Sequence, residues 1–230
     1  MGLLNFINNK IDNHFDKKWT TEPMLELDPN IYQLFKQHGE GIYYSNIMSE
    51  NNDWISKAIS FISGKYSHSI IILYTENIKQ LLNEKYYERL VDKFRIYYGD
   101  SNELESFVNK TKVFVLGSAD KNGMNYLNFS HYQDRRQIIS ITPFKSGFMD
   151  NIVSFMFYKT TMKKKYDYTG LLLWWLWRAL DDERAWYCSE QVYDVFKIFG
   201  YKVAKRKNPS PTQIAKYSER VLKNIIYDNR

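Results

Sequence analysis

The chain has one cysteine and four histidines in 230 residues. A single cysteine excludes an internal disulfide framework and fits a reducing, cytoplasmic setting. It also excludes a zinc site with two cysteine ligands, and neither a metal nor another cofactor is expected. Long uncharged runs are missing too. The most apolar stretch, "LLLWWLW", lies in an uncharged segment from Tyr168 to Trp177, far short of the roughly 18 residues that cross a bilayer. No charged segment followed by an apolar one opens the sequence, so no secretory signal is expected. Gly2 follows Met1, but position 6 is Phe6 rather than Ser or Thr, and the myristoylation pattern is not met. There is no internal repeat, no low-complexity tract and no nucleic-acid-binding motif, so a nucleic-acid partner is not expected.

What is present is enough for a full core: 44% hydrophobic and 17% aromatic residues, without the composition of disorder. The net charge of +6 favours an anionic partner. Basic residues gather at Lys163–Lys165 and from Lys197 to Lys207. Such runs read as solvated loops, or as a patch for phosphates such as those of an anionic membrane surface. The abundance of Lys, Asn, Ile and Tyr reflects A+T-heavy codons and suits a viral or A+T-rich microbial source, with the protein in a virion or in host cytoplasm.

Periodicity organises the chain. Leu4, Ile7, Ile11, Phe15 and Trp19 fall at helical spacing, so residues 1–30 read as an amphipathic helix followed by a linker at Pro23 and Pro29. "HGEGIYYSN" can hold a strand. Residues 53–62 read as a helix broken by Gly64, and "YSHSIIILYT" as a buried strand. A stripe of Ile78, Leu82, Tyr86, Leu90, Phe94 and Tyr97 predicts one helix over 77–98. "KVFVLGSAD", "NYLNF" and "RQIISITPF" read as strands, with a hairpin turn at Asn122-Gly123. Residues 146–162 and the segment "YDYTGLLLWWLWRAL" read as helices.

Cys188 opens a further helical pattern carried by Val192, Val195, Phe196 and Phe199. The first turn of a helix has unpaired N–H groups and a partial positive charge, which favour a thiolate. Those N–H groups can also hold an oxyanion. A lone buried cysteine equally serves as packing. A nucleophile needs a base, and of the four histidines His68 is the candidate, at the start of the strand "SHSIIILYT". Strand alternation puts His68, Ile70 and Ile72 on one face and Ser69, Ile71 and Leu73 on the other. A histidine there can lean over a neighbouring helix end, although 120 residues separate it from Cys188.

Four short segments carry a resemblance. "YSHSIIIL", "KYDYTGLL", "WYCSEQVYDVF" and "PSPTQIAKY" resemble, in that order, the His strand, Tyr-Asp segment, Cys-Ser-Glu helix and Ser-Pro segment of circularly permuted papain-like amidases. These are NlpC-type proteins related to lecithin retinol acyltransferase. The resemblance spans about Ile31 to Tyr217. It implies an α+β fold, an antiparallel sheet packed against helices with the nucleophilic cysteine at a helix N-terminus. The domain would cover 31–230, with a helical insertion at about 77–110. It implies Cys188 as nucleophile and His68 as base, with Ser118 in the place of the residue that orients the imidazole and Asn128 and His131 as weaker candidates. Tyr187 and Glu40 are expected to bind substrate. The implied chemistry is acyl transfer through a thioester, as an amidase, peptidase or acyl hydrolase acting on an acyl-containing small molecule, lipid or peptide. Relatives carry a stronger acceptor where this chain has Ser118. The alternative is therefore a weak or inactive papain-like fold that serves as a structural or membrane-surface binding protein.

Overall fold

Strand β1 (Gly41–Met48) lies inside a six-stranded antiparallel sheet, and its neighbours explain its composition. Its eight residues are almost all buried, and the run Ile-Tyr-Tyr-Ser-Asn-Ile shows no apolar–polar alternation. A strand buried on both sides cannot show the apolar-in, polar-out alternation of a half-exposed one. The computed structural model describes residues 26–48, 61, 64–99, 101–120, 123–142, 149–162, 165–166, 185–186, 188–201, 209–221 and 224–230. The N-terminal helix, the helix over 53–62 save Phe61, and the helix of "LLLWWLW" fall outside these residues.

Helix α1 (Pro29–His38) enters first. Asp28 caps it by accepting a hydrogen bond from the Asn30 N–H at 2.7 Å, and Pro29 occupies the first turn, where no N–H is needed. Gly39 closes it at φ 86°, a left-handed value that suits glycine, and donates its N–H to the Phe35 carbonyl at 3.0 Å. After β1 come β2 (Tyr66–Tyr74), α2 (Ile78–Leu81), α3 (Glu84–Tyr98), α4 (Leu104–Lys110), β3 (Val113–Asp120) and β4 (Gly123–Asn128). A 3-10 turn (Phe129–Tyr132), β5 (Gln137–Ile141) and α5 (Met149–Met162) follow. Two-residue strands β6 (Lys165–Tyr166) and β7 (Ala185–Trp186) pair in parallel. Then come α6 (Cys188–Ile198), α7 (Pro211–Val221) and β8 (Ile225–Asp228). The sheet order is β4-β3-β2-β1-β5-β8, and the fold is α+β.

The helix expected over 77–98 is two helices. Leu82 is extended (φ −104°, ψ 139°), and Asn83 starts α3 by accepting from the Tyr86 N–H at 3.0 Å. An asparagine favours a cap over a helix interior because its side chain competes for backbone hydrogen bonds, and here the cap won over the apolar stripe. Strand β8 is an element for which the sequence pattern gave no reading.

The core has two parts, one on each side of the sheet. Ile42 and Tyr44 of β1, Ile71 and Leu73 of β2, and Phe114 and Leu116 of β3 face Leu90, Phe94, Met156, Val192, Phe196 and Ile214 of the helices. On the reverse side, Tyr43, Ile47, Ile70, Ile72, Tyr74 and Val115 meet Ile31 and Phe35 of α1 with Phe129 and Tyr132 of the 3-10 turn. Each buried ring or branched aliphatic side chain contributes roughly 1.5–3 kcal/mol. The alternation read along β2 is the one observed. It also fixes which chemistry can meet which.

Candidate functional site

Cys188 is the first residue of α6, directly after the strand pair β6–β7, and is 1% exposed. The three polar residues that follow it, Ser189, Glu190 and Gln191, are buried as well. Gln191 anchors this end of the helix to the sheet by donating Nε2–H to the Leu116 carbonyl at 2.9 Å. One and a half turns on, Phe196 meets the Tyr44 ring edge-on at 5.7 Å. Both contacts, with Val192 and Val195, set α6 on the Ile71/Leu73 side of β2. A polar layer lines the sheet on this side. Asn46 Oδ1 accepts hydrogen bonds from the Ser69 hydroxyl at 3.0 Å and from the Tyr44 hydroxyl. Ser189 Oγ and Gln191 Oε1 are buried without a hydrogen-bond partner among the described residues. The sequence signal for this layer was available: Asn46 and Ser69 are polar residues at inward positions of apolar strands.

His68 is not in that layer. It pairs across the ladder with Ile47, one step before a break in register between Ile47 and Met48. Its side is that of Ile70 and Ile72. Its ring stacks on Tyr132 of the 3-10 turn, with centroids 5.9 Å apart and planes inclined by 24°. Burial lowers its pKa from 6.5 to about 4, so the ring is neutral at pH 7. The structure does not bring the expected pair, Cys188 and His68, together. The thiol helix covers one face of β2 and the imidazole occupies the other, and among the described residues no hydrogen bond joins them. The alternation itself is the cause, because α6 packs on the Ser69 side.

The other expected site residues are dispersed. Ser118 lies on β3 opposite Asn125 of β4, past a break in register after Leu116, and its side chain is outside the described residues, as is Tyr187. Asn128 caps the 3-10 turn through the Ser130 N–H at 3.0 Å and donates to the Thr111 hydroxyl at 3.4 Å. His131 Nε2 shares a 2.5 Å hydrogen bond with the Tyr98 hydroxyl. Neither meets His68.

Glu40 lies at the other end of β1 from the residue that pairs with His68. It precedes Gly41, which pairs with Tyr74, whereas His68 pairs with Ile47. Seven strand steps put it about 23 Å from the His68 end of the sheet. There its carboxylate accepts from the Thr75 hydroxyl at 2.9 Å and from the Glu76 N–H at 2.5 Å, which fastens the turn after β2. Sequence reasoning missed Glu76, the centre of that end. Its carboxylate accepts from the hydroxyls of Tyr32, at 3.0 Å, and of Tyr74. The Tyr74 hydrogen bond first, then that of Tyr32 and the nearby Lys112, hold its carboxyl below the usual range. No group of three or more His, Cys, Asp or Glu suited to a metal occurs among the described residues, and no described helix is long and apolar enough to cross a membrane. No family model, no curated protein and no solved structure matches this chain.

Proposed function

We propose that this chain is a binding or scaffolding protein that keeps the layout of the permuted papain-like amidases without their cysteine–histidine catalysis. One observation carries the reading: the Cys188 helix and the His68 ring occupy opposite faces of β2. General-base activation of a thiol requires heavy atoms within about 3 Å or one bridging water. A β-strand between the two groups denies both routes. The neutral His68 ring then packs against Tyr132, and the Cys188 thiol is buried at the start of α6.

A thiol-directed probe at neutral pH tests this on the wild type and on His68→Phe, which keeps a ring against Tyr132. Labelling of Cys188 slower than a free model thiol, with the same rate in both proteins, supports the proposal. Labelling faster than the model thiol, and slowed in His68→Phe, would overturn it. The competing reading is acyl transfer through a Cys188 thioester. It has one observation in its favour, the position of Cys188 at the start of an eleven-residue helix, and it requires a base other than His68.

A further inference from the structure

The last strand, β8, covers the edge of β5, and among the described residues nothing pairs with its own outer edge. Four of the five residues of β5 are buried, whereas both ends of β8 are exposed. Ile225 is 40% exposed, and only Ile226 and Tyr227 pack, partly buried, on the reverse-side core. The ladder to β5 is short and slips between Ile139 and Ser140. Polar groups at its ends supply the fastening. The Ile141 N–H donates to the Asn224 carbonyl at 3.1 Å. Asn229 accepts from the Gln137 N–H at 2.6 Å and donates to the Arg135 carbonyl at 3.2 Å. Arg230 lies 2.8 Å from Glu219 of α7 and donates to the Tyr66 hydroxyl of β2 at 3.4 Å. Asp228, 2.6 Å away, holds the same guanidinium. Both pairs are about a third exposed, so salt screens them. Segments with few buried apolar contacts and exposed fastenings open at a lower free energy than the whole domain.

We propose that β8 is a releasable clasp: it opens while the other five strands stay folded, and ionic strength sets how often it bares the hydrogen-bonding edge of β5. What stays behind is held without it. β5 pairs with β1 along all five of its residues. The Gln137 side chain is fixed by Ser45 at 2.7 Å and by the Tyr132 carbonyl at 2.7 Å. Glu219 keeps a hydrogen bond from the Tyr66 hydroxyl at 3.2 Å when Arg230 leaves. The clasp lies at the sheet edge and works whether or not Cys188 turns over.

Native-state amide hydrogen exchange of the full chain, followed residue by residue by NMR, tests this. After correction for intrinsic rates, the amides of β8 and those of Gln137 and Ile141 should exchange at least about tenfold faster than those of Ile71 and Ile72 in β2. Raising NaCl from about 0.05 M to about 1 M should speed them about threefold relative to β2. Arg230→Gln at low salt should speed them by a similar factor and abolish the salt response. Arg95→Gln, which breaks an exposed pair on α3, should leave both unchanged. Persisting protection at Ile71 and Ile72 checks that each variant folds. Equal protection of the β8, β5 and β2 amides, or no acceleration in Arg230→Gln, would overturn the inference. So would fast exchange in β8 with Gln137 and Ile141 as protected as β2, because the β5 edge would then stay covered.

Discussion

The two faces of the central sheet are built from the same strands and do different things. The face toward α6 carries Asn46 and Ser69 as a polar layer beneath the thiol helix, and Gln191 of that helix reaches down to the Leu116 carbonyl. The face toward α1 is mostly aromatic and aliphatic, with a buried Ser45–Gln137 hydrogen bond at 2.7 Å, and the His68 imidazole there is packed against a tyrosine. Proximity along a strand is thus no guide to proximity in space. Ser69 and His68 are adjacent in sequence, yet only Ser69 shares a face with the cysteine helix. The comparison shows how a chain can hold every residue type of a catalytic pair and still keep the pair apart.

The sharpest way to break this comparison is to remove one large ring from each face. Phe35→Ala on the α1 side and Phe196→Ala on the α6 side should each cost about 3–5 kcal/mol in urea unfolding, since both rings are fully buried. Coincident loss of both cores in each variant is expected, because the strands between them are shared. Next comes pH. His68 has a folded pKa lowered to about 4 from 6.5, so the unfolded state binds the extra proton between these values. Its contribution is complete above about 6.5 and is lost as pH falls toward 4, at most on the order of 3 kcal/mol. His68→Phe should flatten that part of the stability–pH curve.

A smaller effect is expected at Cys188. Cys188→Ala should lower stability by about 1 kcal/mol, the scale of a small core truncation, with no gain or loss in thermal cooperativity. At the far end of the sheet, Glu76→Gln should cost no more than about 1 kcal/mol at neutral pH, because the carboxylate is substantially solvent-exposed. The pKa of Glu76 is depressed in the fold. Its contribution is therefore present above the unfolded value and fades as pH falls through the folded one. The Gln variant should lose that acid-side dependence. Smallest is Lys79→Ala, a surface pair about half exposed on each side, expected to leave the urea unfolding midpoint essentially unchanged.

Much of the sheet was legible from local pattern. β1 to β5 fall where β-branched and aromatic runs place them, and the α6 helix begins at the cysteine as its periodicity predicts. The faces of β2 were legible as well, down to the separation of His68 from Ser69. What the pattern could not supply was the side on which a helix 120 residues later would pack, because that choice depends on pairing between distant segments. The split of the 77–98 stripe at Asn83 turned on a single capping side chain against a run of apolar ones. The position of Glu40 was not legible for a related reason. Its distance from the imidazole follows from the β1–β2 register, which single strands do not reveal.

Strand β1 sits between β2 and β5, and those two flanks are not made at the same time. β2 follows β1 closely in the chain, whereas β5 ends at Ile141. A ribosome adding about 5–20 residues per second leaves one side of β1 unpaired for roughly 5–20 s. During that interval a row of bare amides and carbonyls, set with Tyr43 and Ile47, is open to pairing with any other nascent chain. The safety of this fold in a crowded cell thus depends on how that seam is shielded during synthesis.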